Sequence, residues 1–409
     1  MIFRYSKLSS INRSIFLLWI GQLISHAGDA IYMIALPWLI LELTGSKTTT
    51  SLIAVCAYLP AVLFSLPAGV IVDRFNRRAV MIFSDAARMI TIAGLVIFLL
   101  NDGVSPLVIG TIAFIVASFS TLFYPARDSL IPSLIPKQSL TSANAFISTS
   151  GQFAHLAGPV IAGVLITLVG LTHLFTLDAI SFTASMICIL FIVQRKKETI
   201  GKKSPHSHPH LHDLKEGLNY VIRKRPLASL LLLTAVNNLF IMGPAMIGTP
   251  IFVREVLQMK FAAYATIEAF MAGGMIIGSI LVWRIGKNFN PSLVLFIGMI
   301  MDGLTYSCLY FIHTYSGTKL LILIHGIGIP MITISRTTII QKVVPDRFRG
   351  RIFSMVNLSV IGLTAISSGL IGPFAEILSI GTIFLVIGIG AALCGIIGLN
   401  HRGMMKLIV

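Results

Sequence analysis

Charge is scarce in this sequence. Of 409 residues only 11% are Asp, Glu, Lys or Arg, and just 15 are acidic, where a soluble domain carries about a quarter charged. Too few polar side chains remain to cover a water-facing surface, which excludes a soluble enzyme. Cysteine is equally thin: Cys56, Cys188, Cys308 and Cys394 lie far apart, each within an apolar run. They form neither a disulfide framework nor a CxxC metal or redox pair. The sequence has no P-loop and no dinucleotide fingerprint, so neither ATP hydrolysis nor a bound cofactor is expected.

What is abundant is apolar surface, with 56% hydrophobic residues and a mean hydropathy of +0.90. Apolar runs of about twenty residues, each able to cross about 30 Å of hydrocarbon, recur twelve times. The N-terminal run continues through Leu43 with no small-residue cleavage site, so it reads as a retained first span. The net charge of +16 could suggest a nucleic-acid partner. The basic residues are not gathered on one stripe, however, and their placement describes membrane topology. Of 31 Lys and Arg, 25 fall on the side of the N-terminus; Lys47, Arg254, Lys260 and Lys319 fall on the other, with Arg88 and Arg336 inside spans. That asymmetry predicts both termini in the cytoplasm.

The longest polar stretch divides the spans six and six. The expected organisation is a bundle over 1–194, a cytoplasmic linker over 195–225 and a second bundle over 226–409. Within the linker, Leu211, Leu214, Leu218 and Val221 or Ile222 follow helical spacing, as in a short amphipathic helix lying on headgroups. His206, His208, His210 and His212 alternate there; a solvated segment is expected in preference to a metal site. The halves also repeat one another. Arg127 precedes Pro136 by nine residues, as Arg336 precedes Pro345, and Gly158-Pro159 is matched by Gly372-Pro373. The predicted fold is thus an all-α membrane protein of twelve transmembrane helices in two pseudo-symmetric six-helix bundles, an arrangement suited to two halves rocking about a shared midplane site.

Three groups of residues stand out. Between the second and third spans runs Gly69-Val-Ile-Val-Asp73-Arg74-Phe-Asn76-Arg77-Arg78, in which Gly69 would let a neighbouring helix approach, Asp73 would face a helix N-terminus and an Arg, and the arginines would anchor the loop at the cytoplasmic surface. In the fifth span, Ala154, Gly158, Pro159, Ala162 and Gly163 offer a smooth packing face. In the first span, Gln22, Ser25, His26 and Asp29 share one helical face that gains nothing from lipid; Thr234, Asn237 and Asn238 form the corresponding patch in the seventh. Asp29 is the first choice for a proton-binding or cation-attracting carboxylate, the alternative being that it caps backbone or pairs with a base. Glu268 and Asp302 are second choices, and either could instead pair with polar neighbours. Asp178 reads as structural. His155 is either a proton relay or a packing residue. Asp85 and Arg88 are expected to pair with each other or with the 69–78 loop.

The 69–78 segment resembles the signature loop of the major facilitator superfamily, Gly-x-x-x-Asp-Arg-x-Gly-Arg-Arg, departing at Asn76, a side chain that tolerates the left-handed turn the usual Gly implies, and the fifth-span segment resembles its antiporter motif. Residues 19–31, 43–46, 213–220 and 345–351 look like the macrolide-efflux and enterobactin-exporter branch. The resemblance implies a bacterial inner-membrane exporter, driven by proton antiport, for macrolide-like drugs or siderophores. Its expected partners are a small-molecule substrate, protons and membrane lipids, with no nucleic acid, and the chain is expected to work as a monomer. Asp73, Arg74, Arg77 and Arg78 would close an inner gate against the eleventh span near Arg349 and Arg351. Arg127 and Arg336 would brace the same region by ion pairs or carbonyl caps. An importer of the same fold is the nearest rival. A membrane-embedded transferase would need a clustered acid or His pair at one interface.

Overall fold

The computed structural model describes residues 13–101, 103–135, 140–193, 210–285 and 289–407. The helices in chain order are α1 (Arg13–Thr44), α2 (Lys47–Arg74), α3 (Arg77–Leu100), α4 (Pro106–Leu134), α5 (Leu140–Val169), α6 (Leu171–Leu190), α7 (His210–Arg223), α8 (Arg225–Gly243), α9 (Thr249–Glu255), α10 (Phe261–Ile285), α11 (Pro291–Leu309), α12 (Tyr315–Val343), α13 (Asp346–Ile377), α14 (Ile380–Asn400) and α15 (Arg402–Met405). With α8 and α9 counted as one, twelve helices among the described residues are long and apolar enough to cross a membrane. The all-α, twelve-span architecture expected from the sequence is the one observed.

Local chemistry sets the helix ends. Ser105, Asn290, Thr314 and Ser379 each cap the following helix, the side-chain oxygen accepting an otherwise orphaned backbone N–H. Pro106 and Pro291 occupy the first helical position, where a missing N–H costs nothing. Gly45 and Gly170 turn the chain between α1 and α2 and between α5 and α6 at positive φ, +66° and +79°, which a side chain would resist. Asn76 corrects the sequence reading. Its backbone is extended (φ −65°, ψ 117°), and its side chain accepts from the N–H groups of Arg78 and Ala79. It serves as the N-cap of α3, not as a left-handed turn residue.

The chain packs as two units, the first drawn from Met1–Leu36 and Leu59–His206, the second from Pro37–Tyr58 and Ser207–Val409. In the first, α3 lies against both α4 and α6. Ile15, Leu18, Val72, Met81, Phe123 and Leu130 are among the side chains of its main apolar cluster. Gly158 lets α5 meet α1, since a Cβ there would collide with Ala30, and Ala154 and Ala162 are buried beside it. The expected packing face is thus in contact. Gly69 behaves otherwise: a Cβ there would meet open space, so the close approach predicted for it is absent.

In the second unit, α12 lies against α10 and α11, α14 against α11, and α8 against α13 and α14. Small residues set these spacings, because helices in lipid associate through backbone proximity and not through hydrophobic expulsion. Gly274 and Gly326 sit where α10 meets α12, and Gly303 and Gly388 where α11 meets α14. Pro244–Gly248 forms one π-helical turn between α8 and α9, a local widening that often marks functional helices. The turn joining α1 to α2 is strapped to this unit. Lys47 Nζ stands 2.8 Å from Glu255 and donates to Ala375 O at 2.9 Å. Glu376 accepts from the Lys47 and Thr48 N–H groups, and Ser51 Oγ from that of Gly372. The linker helix α7 docks here through Tyr220 stacked on Phe348 and through Glu216 paired with Arg351, leaving Leu218 and Ile222 exposed.

Candidate functional site

The polar face of α1 is covered from three sides within the first unit. Arg127 of α4 donates to Gln22 Oε1 at 3.2 Å and lies 5.1 Å over the Tyr124 ring. That ring stacks on His26 at 6.1 Å. His26 Nδ1 is 4.0 Å from Asp29 Oδ2, and Arg88 Nη1 of α3 is 4.0 Å from Asp29 Oδ1. Gln22, Ser25 and His26 are buried, while the Asp29 side chain keeps 22% of its surface. Asp29 faces Arg88 of α3.

Arg88 is the centre of the cluster. Its guanidinium pairs with Asp85, donates to Ser120 Oγ at 3.4 Å and is sandwiched between Phe123 and Phe182, 4.7 and 4.2 Å from the ring centroids. Cation–π contact of this desolvated kind contributes about 2 kcal/mol. Sequence reasoning paired Arg88 with Asp85 but missed its reach to Asp29. Asp178 of α6 joins from the other side: Gly28 has no Cβ because one would run into Asp178 Oδ1 and Ser181 Oγ. Tyr32 adds a buried hydroxyl with no hydrogen-bond partner among the described residues. The Asp29 and Asp85 carboxyl groups therefore both face one guanidinium in a region of low dielectric, with Asp178 against Gly28 nearby.

The second unit carries its own buried polar cluster. Asp302 of α11 lies 3.3 Å from His325 Nδ1 of α12 and accepts from Asn237 Nδ2 of α8 at 3.3 Å. His325 escaped the sequence reading, although a lone imidazole in an apolar run was a usable signal. Asn238 donates to Val360 O and sits 3.5 Å from Thr364 Oγ1, tying α8 to α13. Glu268 is buried on α10, one turn beyond Tyr264.

The remaining expected residues are dispersed. Asp73 and Arg74 are exposed at the end of α2, while Arg78 donates to the carbonyls of Ile189 and Leu190 at the end of α6. Arg77 makes no ion pair among the described residues. Arg127 pairs with the adjacent Asp128. Arg336 is half-buried and, against expectation, has neither an ion pair nor a carbonyl to cap among the described residues; its neighbours on α12 are Ser335 and Thr337. Arg349 pairs with Asp346 and donates to Val344 O at 3.0 Å, and Arg351 pairs with Glu216. Both are thus engaged within their own unit. The side chains of His155, His210 and His212, and the whole of His206 and His208, lie outside the described residues.

A family model for the Major Facilitator Superfamily matches residues 18–363. The chain belongs to that superfamily. Two efflux proteins resemble it over nearly its whole length. The multidrug efflux pump Tap of Mycobacterium tuberculosis is 25% identical over 407 residues, covering 96% of this chain and 94% of that one. Macrolide efflux protein A of Streptococcus pyogenes is 24% identical over 379 residues, 91% of each. Among solved structures, a bacterial homologue of the iron transporter ferroportin in the inward-facing state superposes with a TM-score of 0.75 at 16% identity, over 95% of this chain and 99% of that one. The nucleoside transporter NupG does so at 0.72 and 13%, over 95% and 99%. At such identities these two structures speak for the fold. As a major facilitator chain this is a multi-pass membrane transporter, and its fold accommodates a small-molecule substrate and surrounding lipid.

Proposed function

We propose that this chain exports amphipathic small molecules, drugs among them, across a bacterial cytoplasmic membrane in exchange for protons, by alternating access. The full-length similarity to two efflux proteins supports export. The single observation that carries the coupling is the Asp29–Arg88–Asp85 cluster. An acidic group held 4.0 Å from a buried guanidinium must give up either its proton or its ion pair whenever the water in contact with it changes face. Asp29, the member that keeps surface, is the proton carrier; Asp85 holds Arg88 in place. Gln22, Ser25 and His26 orient it from the same helical face.

The basic residues put both termini in the cytoplasm. Asp73, Arg74 and the arginines that follow close the inner face, with Arg127 braced by Asp128 and Gln22. The small number of buried acids among many Phe, Met and Ile side chains suits a substrate with a broad apolar body and a cationic end. The test is accumulation of erythromycin and ethidium in a deletion strain with and without the gene, and pH-gradient-driven ethidium uptake into inverted vesicles. Equal accumulation in both strains and no gradient-driven uptake would remove the export reading.

A further inference from the structure

The second unit buries an acid and an imidazole that have no part in the Asp29 cluster. Asp302 is 3% and His325 1% exposed, and no Lys or Arg pairs with either among the described residues. Titratable groups facing them are Tyr306 of α11, whose ring meets His325 edge-on at 4.9 Å, and Tyr264 and Glu268 of α10 beyond it. Packed on the other side, α14 brings no charged side chain. Thr305 Oγ1, 3.4 Å from His325 Nδ1, is within donating reach of the Met301 and Asp302 carbonyls.

This cluster has more acceptors than donors. Asn237 Oδ1 is buried without a hydrogen-bond partner, Asn237 Nδ2 donates to Asp302 Oδ2, and Asp302 Oδ1 faces only His325 Nδ1, at 3.3 Å. A native interior rarely leaves such an acceptor unpaired. One added proton gives it a donor. Placed on Asp302 Oδ2 that proton cannot face the Asn237 N–H, so the amide turns over, its Oδ1 accepting the new O–H and its Nδ2 taking the place that Oδ1 held. Removing that proton restores the arrangement described, with the charge of Asp302 held by His325 Nδ1–H and the Asn237 amide.

We propose that Asp302, His325 and Asn237 form a second proton-binding site, in the unit that lacks Asp29, whose occupancy sets the grip of α11 on α8. The grip matters because α8 runs directly into the π turn at Pro244–Gly248 and is held on its opposite face by α13, through Asn238 and through Gly243 N–H to Ser367 Oγ at 2.8 Å. The reading rests on proton exchange as proposed for the chain, so its test has a readout that needs no transport.

The full-length protein in lipid is titrated by difference infrared spectroscopy. In wild type a carboxylic-acid band and a side-chain amide band change together with one midpoint. Asp302→Asn removes the amide change and the part of the carboxyl change that tracks it, leaving the Asp29 part, and His325→Gln moves the midpoint. A carboxyl band unaltered by Asp302→Asn overturns the proposal. In inverted vesicles, gradient-driven ethidium uptake by wild type shows a step at the infrared midpoint, changing roughly tenfold per pH unit beyond it, whereas in Asp302→Asn that step is gone and only the dependence set by Asp29 remains. A uniform loss of rate with the wild-type profile retained would mean a merely structural pair and overturns it too. Wild type that fails to move ethidium counts against export, and the infrared titration then decides the site alone.

Discussion

Arg88 and Asp302 stand at the same step of corresponding helices. Each lies eleven residues past the first residue of its helix, Arg77 of α3 and Pro291 of α11. The third span of one half thus buries a cation held by acids, and the third span of the other an acid held by an imidazole and an amide. In each half the charge anchors neighbouring spans to the central one.

Replacing Asp29 by Asn keeps the shape and removes the ionisable group. Gradient-driven efflux should fall roughly tenfold or more, the equivalent of about 1.4 kcal/mol or more, with the protein still inserted. Uptake of ethidium into inverted vesicles measures it, and a normal rate would mean that Asp29 does not carry the proton.

Arg88→Met strands the buried Asp85 and Asp29 without their cation. Breaking a buried pair from one side costs about 3–5 kcal/mol, so thermal unfolding in detergent should shift down clearly. Arg88→Lys should rescue little, because an ammonium cannot fill the slot between the Phe123 and Phe182 rings as a planar guanidinium does. The double change Asp85→Asn with Arg88→Met should be milder than Arg88→Met alone, as measured in the same melts.

Two glycines should respond oppositely. At Gly28 a side chain collides with Asp178 and Ser181, so Gly28→Val should sharply lower the yield of folded protein. At Gly69 the space is open, so Gly69→Ala should express and melt like wild type. Fluorescence size-exclusion profiles of the two variants compare them directly, and a destabilised Gly69→Ala would contradict the open environment.

Asp73→Asn leaves the packing untouched, since Asp73 is exposed. Transport should drop while insertion and melting stay unchanged, if the 69–78 loop closes the inner face. Unaltered ethidium efflux from cells carrying the variant would end the gate assignment.

The spans, their number and the polar face of α1 were legible because lipid imposes a one-dimensional rule: about twenty apolar residues per crossing, with each exception conspicuous. Asp29, Asp85, Arg88 and Asp302 were visible for that reason. The partner of Asp302 was less so, because imidazole is less conspicuous than a formal charge, and His325 lies in a run whose neighbours are Ile and Gly. The expectations for Gly69 and Asn76 failed for a different reason. A motif specifies residue types, but whether a glycine meets a helix or an asparagine caps one depends on where the next backbone passes.

By itself the sequence determined that this chain lives in a bilayer as twelve helices in two related sets, since hydropathy and charge placement are sums over neighbours along the chain. Only the tertiary structure decided that Arg88 reaches Asp29 across two helices, that Asn237 and His325 converge on Asp302, and that Lys47 ties the first turn to Glu255 and Glu376. Those pairings depend on helix rotation and spacing set by contacts between residues far apart in the chain, and no local pattern encodes them.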